Sequence, residues 1–492
     1  MPNTIKSKSS VIISSFAILM YLLFYGLISN VSNSIAGIIK IILCWCGIFA
    51  ILYIIVSWKN MTGRAVSLYT LFMLFFFMFN FGQCFMWAVG IHSSNEIGSG
   101  ELYHRLSTPT NSDIVKVQSL VIVGAIMIHF GAINFHRNKS RQTKKLMSSS
   151  EDMPESNADR ANLLRFSFIL LPFVVFSEYY YQISNYINAK TYGYTGLYYN
   201  ENVQSVNVAF QIIARLFFPV IFGLLYGSNY KIKSIRILAY SLFGIDVILS
   251  VMVGDRGGWI YSLLLLLLCH SIFYKKLSMR QIVTLGAIAY AGMIILIAVR
   301  NIRNVGVTAS GLVNAMGSAV TDPITSTLTE MGGTMSVTLV FVMQGWDIFP
   351  YGNSFLYGLL IAPTKRIINI LNLNFETISS WLSQKYLGIS NGAGFSIVAE
   401  VYCNFGPVFF PIIMILVGII IQKITDIDSC DYEHDFMTIF YKVITCSVII
   451  NISRNCFSYN MGEVFYTTLL FWILFTFYNM LIRSGSVVKR GA

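Results

Sequence analysis

The amino-acid sequence predicts an all-α fold, a polytopic transmembrane helix bundle of about 12 spans. Three observations lead there. The 492 residues are 55% hydrophobic and only 11% charged, whereas an ordinary soluble domain is about 25% charged. Apolar runs of the roughly 17 to 25 residues needed to cross a bilayer recur along nearly the whole chain. Lys and Arg gather in alternate short connections between those runs, the pattern that orients membrane proteins. The formal charge of +12 therefore belongs to membrane orientation, and the absence of a basic arm or stripe argues against a nucleic-acid partner.

Taken in order, Lys6 and Lys8 precede the first apolar run as in a signal peptide, but no small-residue cleavage site follows, and the run is read as a retained helix. Spans are expected at 11–28, 35–56, 66–90, 114–135, 162–181, 206–226, 236–253, 258–274, 281–299, 407–422, 436–452 and 464–482. The segment 138–160 is Ser-rich and charged and reads as a flexible linker. Residues 334–343 are apolar but too short to span, which suggests a re-entrant or interfacial piece. Lys59, Arg64, Arg137 to Lys145, Lys231 to Arg236 and Lys275 to Arg280 fall on one side, together with both chain ends. The positive-inside rule makes that side cytoplasmic, with both termini on it. The loop 423–435 runs against this trend, since its acidic residues outnumber Lys423, but acidic residues weigh little in the rule.

On the opposite side the largest connection runs from about 300 to 406, far longer than a helix connection requires. Its apolar and aromatic content argues against disorder. A second outer connection, 182–205, is rich in tyrosine. The eight cysteines lie mostly inside apolar spans, with no second pair or neighbouring histidines, so neither a disulfide framework, a metal site nor a cofactor is expected.

Several residues are candidates for chemistry. In VMVGDRGGWI a span ends at Val253 and the next begins near Gly258, so Arg256 is held on a glycine turn. It reads either as an anion ligand or as an arginine resting on lipid headgroups. Arg300 and Arg303 stand one helical turn apart beyond the ninth span. Lys365 and Arg366 follow Pro363, and Arg454 lies in the last outer connection. Together these cations form an outward patch for a phosphate or pyrophosphate, or else scattered solvated charge. Arg215 and Asp246 are the deepest charges, and counting about 1.5 Å per residue places them at similar depth on adjacent helices. They are expected to pair; otherwise Arg215 floors a substrate cavity. Tyr179, Tyr180, Tyr181, Tyr186, Tyr192, Tyr194, Tyr198 and Tyr199 offer ring faces for sugars or the ordinary aromatic belt of a membrane interface. In GAGFSIVAEVYCNFGPVFF, residues 392–410, Glu400 falls in an apolar run where desolvation would tune it as a general base or acid, unless a nearby arginine neutralises it.

VGDRGG at a helix hairpin, FPYGNSFLYGLLIAP, and GFSIVAEVYCNFG before a late span, in that order, resemble the Wzy-type oligosaccharide repeat-unit polymerases of O-antigen and capsule synthesis. The motifs cover roughly residues 235–425, and the first half matches only in hydropathy. Asp255 departs from the serine or asparagine that the family more often places before the arginine. The resemblance implies a glycosyltransferase of the bacterial cytoplasmic membrane that moves a growing glycan from undecaprenyl pyrophosphate onto a new lipid-linked repeat unit, with room for a chain-length-regulating partner. It implies that arginines, Arg256 above all, stabilise the leaving pyrophosphate in place of a metal. Glu400 would be the base, with Asp347 or Glu330 next, and Tyr402 and Asn404 would hold sugar hydroxyls. An O-antigen ligase is the near alternative, but the histidine expected in its large outer loop is missing from 300–406. A lipid-linked glycan flippase is the other, and the chain lacks the internal repeats it would show.

Overall fold

The computed structural model describes residues 2–146, 156–199, 203, 206–255, 257–276, 279–302, 309–319, 322–389, 392–427 and 435–488. The described residues are helical throughout, apart from turns and one isolated bridge between Tyr103 and Leu106. In chain order the helices are α1 Pro2–Leu27, α2 Asn33–Thr62, α3 Leu68–Ala88, α4 Asn111–Leu146 and α5 Ser156–Tyr199. There follow α6 Val208–Ala214, α7 Phe217–Gly227, α8 Lys233–Val253, α9 Gly258–Phe273 and α10 Met279–Ile302. Then come α11 Ala309–Ala319, α12 Pro323–Gly332, α13 Met335–Gln344, α14 Ser354–Ile361, α15 Arg366–Ile370 and α16 Ile378–Ser380. The last are α17 Ile397–Thr425, α18 Phe436–Ile449, α19 Phe457–Val464 and α20 Leu470–Val488.

Among the described residues, eleven helices are long and apolar enough to cross a membrane. The twelfth expected span is α9, whose 16 residues reach only about 24 Å at 1.5 Å per residue. The protein is a multi-pass membrane protein. In lipid the helix satisfies every backbone donor and acceptor within itself, which is why runs that hydropathy marks as apolar fold this way.

The chain divides into two units. One holds Met1–Glu151, Ile324–Ser429 and Ile449–Met461; the other holds Asp152–Pro323, Cys430–Val448 and Gly462–Ala492. In the first unit α3 and α4 are its inner helices, most of their residues buried. The phenylalanines of α3, from Phe72 to Phe81, pack around one another there. Several polar groups in this interior find partners: the Tyr69 hydroxyl lies 3.0 Å from His129 Nδ1, and the Gln83 amide donates to the Thr329 carbonyl. α17 runs beside α4 in the same direction, and glycines let their backbones meet. A Cβ at Gly418 would come within 2.1 Å of the Ile128 carbonyl oxygen, and one at Gly131 within 2.2 Å of the Ile415 carbonyl oxygen. Small residues at such crossings are how helices pack closely in a bilayer. α1 lies against the same pair, antiparallel to α17.

In the second unit α5 packs against α7 and α8, and stacked rings such as Phe222 on Phe440 and Tyr226 on Phe436 bind α7 to α18. α5 continues to Tyr199 with a break at Gly193, so most of the tyrosine segment expected as a loop from 182 to 205 is helix. Nothing between 182 and 192 is a helix breaker, and the Tyr179 hydroxyl anchors the helix by donating to the Leu242 carbonyl at 2.8 Å. The expected linker at 138–160 is narrower than its composition suggests, since α4 runs to Leu146 and α5 begins at Ser156.

The described residues of the long connection 300–406 lie in short helices and turns between α10 and the start of α17, and the connection passes from one unit to the other between Pro323 and Ile324. The apolar segment expected at 334–343 is α13, with most of its residues buried.

Candidate functional site

In the first unit two of the sequence motifs meet. Asn353 caps α14, its side-chain oxygen accepting from the backbone N–H groups of Phe355 and Leu356. That places Ser354, the first residue of α14, against the first turns of α17. The Ser354 hydroxyl donates to Glu400 Oε1 at 2.6 Å, and the backbone N–H of Phe457 donates to Glu400 Oε2 at 2.6 Å. Asn404, one turn along α17, accepts from the Ser354 N–H at 2.8 Å and donates to the Ser354 hydroxyl at 2.9 Å and to the Glu400 carbonyl at 2.7 Å. Three segments distant in sequence are thus tied by one carboxyl group with 0% of its residue exposed. A buried polar group needs such partners, and here each Glu400 oxygen has one.

The helix that carries this knot is broken. Gly406 has φ +66°, in the left-handed region open mainly to glycine, and Pro407 follows it. The Trp346 ring lies where a Cβ on Gly406 would reach, at 3.3 Å. The expected span 407–422 begins at this break; the residues before it, 397–405, are a separate helical piece that holds Glu400, Tyr402 and Asn404. Tyr402 is 2% exposed, and its hydroxyl lies 2.5 Å from that of Tyr25 on α1. Tyr21, one turn away, donates to the Pro407 carbonyl at 2.9 Å. Asp347 is exposed. Its neighbour Trp346 is 40% exposed.

Between α13 and α17 the first unit gathers buried rings and exposed basic side chains. Phe349 packs edge-on against Trp381 at 5.3 Å, and Tyr357 stacks on Phe375 at 4.3 Å. Lys385 reaches Glu376 at 2.7 Å and the Tyr351 hydroxyl at 3.2 Å. Hydrogen bonding to Glu376 first, and then to Tyr351, raises the Lys385 pKa above the ordinary lysine value. Lys365 and Arg366 are exposed. Arg454 lies over the Phe79 ring at 5.5 Å, and its carbonyl accepts from the Phe395 N–H at 2.8 Å. Glu330 is on α12, half-buried.

The remaining candidates belong to the second unit. Arg215 does not pair with Asp246 as expected. Its guanidinium lies 3.1 Å from Glu463 Oε1 and 4.8 Å over the Tyr466 ring, while Asp246 is within hydrogen-bonding reach of Glu178. Depth in the bilayer fixes height along a helix but not which way a side chain faces, and the chain breaks between α6 and α7 at Arg215 itself. Arg300 is in the last turn of α10, half-buried. Arg256 and Arg303 lie outside the described residues.

Ser354 and Asn353 lie within FPYGNSFLYGLLIAP, where residue type alone assigns them no chemical role. The cap signal of an Asn before an apolar run was there to be read. Tyr21, Tyr25 and Phe457 carried no local signal, because what matters about them is a partner hundreds of residues away or, for Phe457, a backbone N–H.

The family model for the O-antigen polysaccharide polymerase Wzy matches residues 10–484, nearly the whole chain. The chain belongs to the Wzy family. As a Wzy polymerase it is a membrane enzyme of the glycosyltransferase type, acting in O-antigen repeat-unit polymerisation on lipid-linked oligosaccharides. No curated protein and no solved structure matches it. The match extends through α1 to α7, so the helices that supply Tyr21 and Tyr25 belong to the family pattern as much as the motifs do.

Proposed function

We propose that this Wzy chain transfers the growing glycan from undecaprenyl pyrophosphate to the sugar end of a new lipid-linked repeat unit. The reaction takes place on the non-cytoplasmic face of the bacterial cytoplasmic membrane, with both chain termini in the cytoplasm. The placement of Lys and Arg in alternate connections supports that orientation. What supports the reading is the exposed Asp347 next in sequence to Trp346, whose partly exposed ring packs over Gly406 at the break in α17.

In this reading the acceptor sugar lies on the Trp346 ring, whose face suits the CH groups of a pyranose. Asp347 takes the proton of the acceptor hydroxyl as its oxygen attacks the anomeric carbon of the donor. The bond between that carbon and the pyrophosphate oxygen breaks, and the pyrophosphate leaves on its lipid. Charge on the leaving group is met by exposed cations in place of a metal ion: Arg366, with Lys365. Glu400, Tyr402 and Asn404 are positioning residues, because their polar atoms are already engaged by Ser354, Phe457 and Tyr25.

The glycan ladder from cells lacking the gene tests the reading. A collapse from a ladder to a single repeat unit, restored when the gene is returned, is the expected result. Loss of every repeat from the mature lipid would place the chain at ligation or transport instead.

A further inference from the structure

The first unit contains an apolar cavity of about 310 Å³ bounded by α1, α2 and α4. It begins at Ile13 and ends at Phe24 on α1, a length of roughly 16 Å at 1.5 Å per residue. Its lining is almost wholly hydrocarbon, and Phe16 and Phe49 flank it while being 60% and 62% exposed, so it opens sideways to the bilayer. Its Phe24 end lies toward the Glu400 knot. Tyr21 lines the cavity and also donates to the Pro407 carbonyl at the break in α17, and the next turn of α1 brings Tyr25 to Tyr402. Lys116 stands one helical turn from the cavity-lining Ser119 on α4, toward that same end.

An apolar channel inside the membrane that ends beside tyrosine hydroxyls and a lysine has the polarity of an isoprenoid phosphate: hydrocarbon first, anion last. We infer that this cavity holds the first isoprene units of a polyprenyl carrier, with the tyrosines and Lys116 beside its phosphate. The inference rests on the proposed function for why a polyprenyl chain should arrive there. It adds that the lipid, as well as the sugar, is selected by the protein. A phospholipid acyl chain would fill the same hydrocarbon, but the contacts of Tyr21 and Tyr25 with α17 at the cavity's end favour the chain whose headgroup carries the reacting glycan.

The test uses the full-length protein in phosphatidylethanolamine and phosphatidylglycerol nanodiscs. One probe is a polyprenyl phosphate with a diazirine in its first isoprene units; the other is phosphatidylglycerol with a diazirine in its acyl chain. Mass spectrometry maps the labelled peptides. The expected result is polyprenyl labelling within residues 13–24, 43–53 or 119–126, suppressed by unlabelled undecaprenyl phosphate and not by added phosphatidylglycerol. Ala50→Trp, which fills the cavity, should reduce that labelling about tenfold or more, given what burying a few carbons contributes. If Ala50→Trp does not fold, the competition on the unaltered protein still decides. Labelling elsewhere, or labelling that phosphatidylglycerol suppresses equally, overturns the inference. Because these readouts involve no glycan transfer, a failed ladder experiment with positive labelling removes the proposed function and leaves the lipid site; the reverse removes only the site.

Discussion

At the scale of single residues the useful distinction is between groups already engaged and groups left available. Glu400 is a fully buried carboxyl, and the resemblance suggests a base. In the structure Ser354 and Phe457 hold both its oxygens, so Glu400→Gln, which keeps one acceptor and the shape, should retain a measurable share of polymerisation. Glu400→Ala leaves a hydroxyl and an N–H unpaired, at about 1 to 3 kcal/mol each, and should lower the melting temperature of the detergent-purified protein sharply. Complete inactivity of a well-folded Glu400→Gln would return it to the role of base. Asp347→Asn should cut the rate of repeat addition by about 100-fold or more in a reconstituted assay while the protein remains folded, the usual size of a lost general base. A rate within a few-fold of the parent removes Asp347 from the chemistry. Exchanging charges in Arg215→Glu with Glu463→Arg should recover membrane expression lost in either single variant, whereas the same exchange between Arg215 and Asp246 should not.

At the scale of elements, hydropathy located the spans because crossing a bilayer requires long apolar runs. It could not locate the helix before Gly406, since Ile397–Phe405 is apolar on its own account and its break depends on one glycine and one proline. The interior position of α3 and α4 was equally hidden: a phenylalanine facing protein and one facing lipid look alike in sequence. Tyr21 and Tyr25 fell inside an ordinary-looking first span for the same reason. The tight crossing of α4 and α17 predicts that Gly418→Leu will force the helices apart, at about 1 to 3 kcal/mol or more by the usual cost of overpacking, seen as faster proteolysis or aggregation of the purified protein. The connection between α3 and α4 carries its own pH response. Burial disfavours the Glu96 carboxylate, but the Ser93 N–H, His92 and the Trp87 indole N–H together outweigh it and hold its pKa below the usual carboxylate value. The carboxylate therefore stabilises this connection above about pH 4 to 5 and stops doing so as pH falls through its lowered folded value. The protection of the Ser93 amide, its exchange slowed relative to an unstructured chain at the same pH, should fall on acidification, and Glu96→Gln should flatten that dependence.

For the whole molecule, class and family were legible because composition, repeated apolar runs and three ordered motifs are all properties of the chain itself. The partition into two units was not, since it depends on which helices meet. The chain passes from one unit to the other five times, after residues 151, 323, 429, 448 and 461. The backbone N–H that completes the Glu400 knot belongs to Phe457, close to the final crossing. During synthesis, Ser354 and Glu400 must therefore enter the membrane well before their last partner exists. A surveillance protease that recognises an unfinished polar group in the bilayer has that interval in which to act. Ribosome arrest before residue 457 would leave a nascent chain whose fate reports on how membrane quality control recognises a missing hydrogen bond.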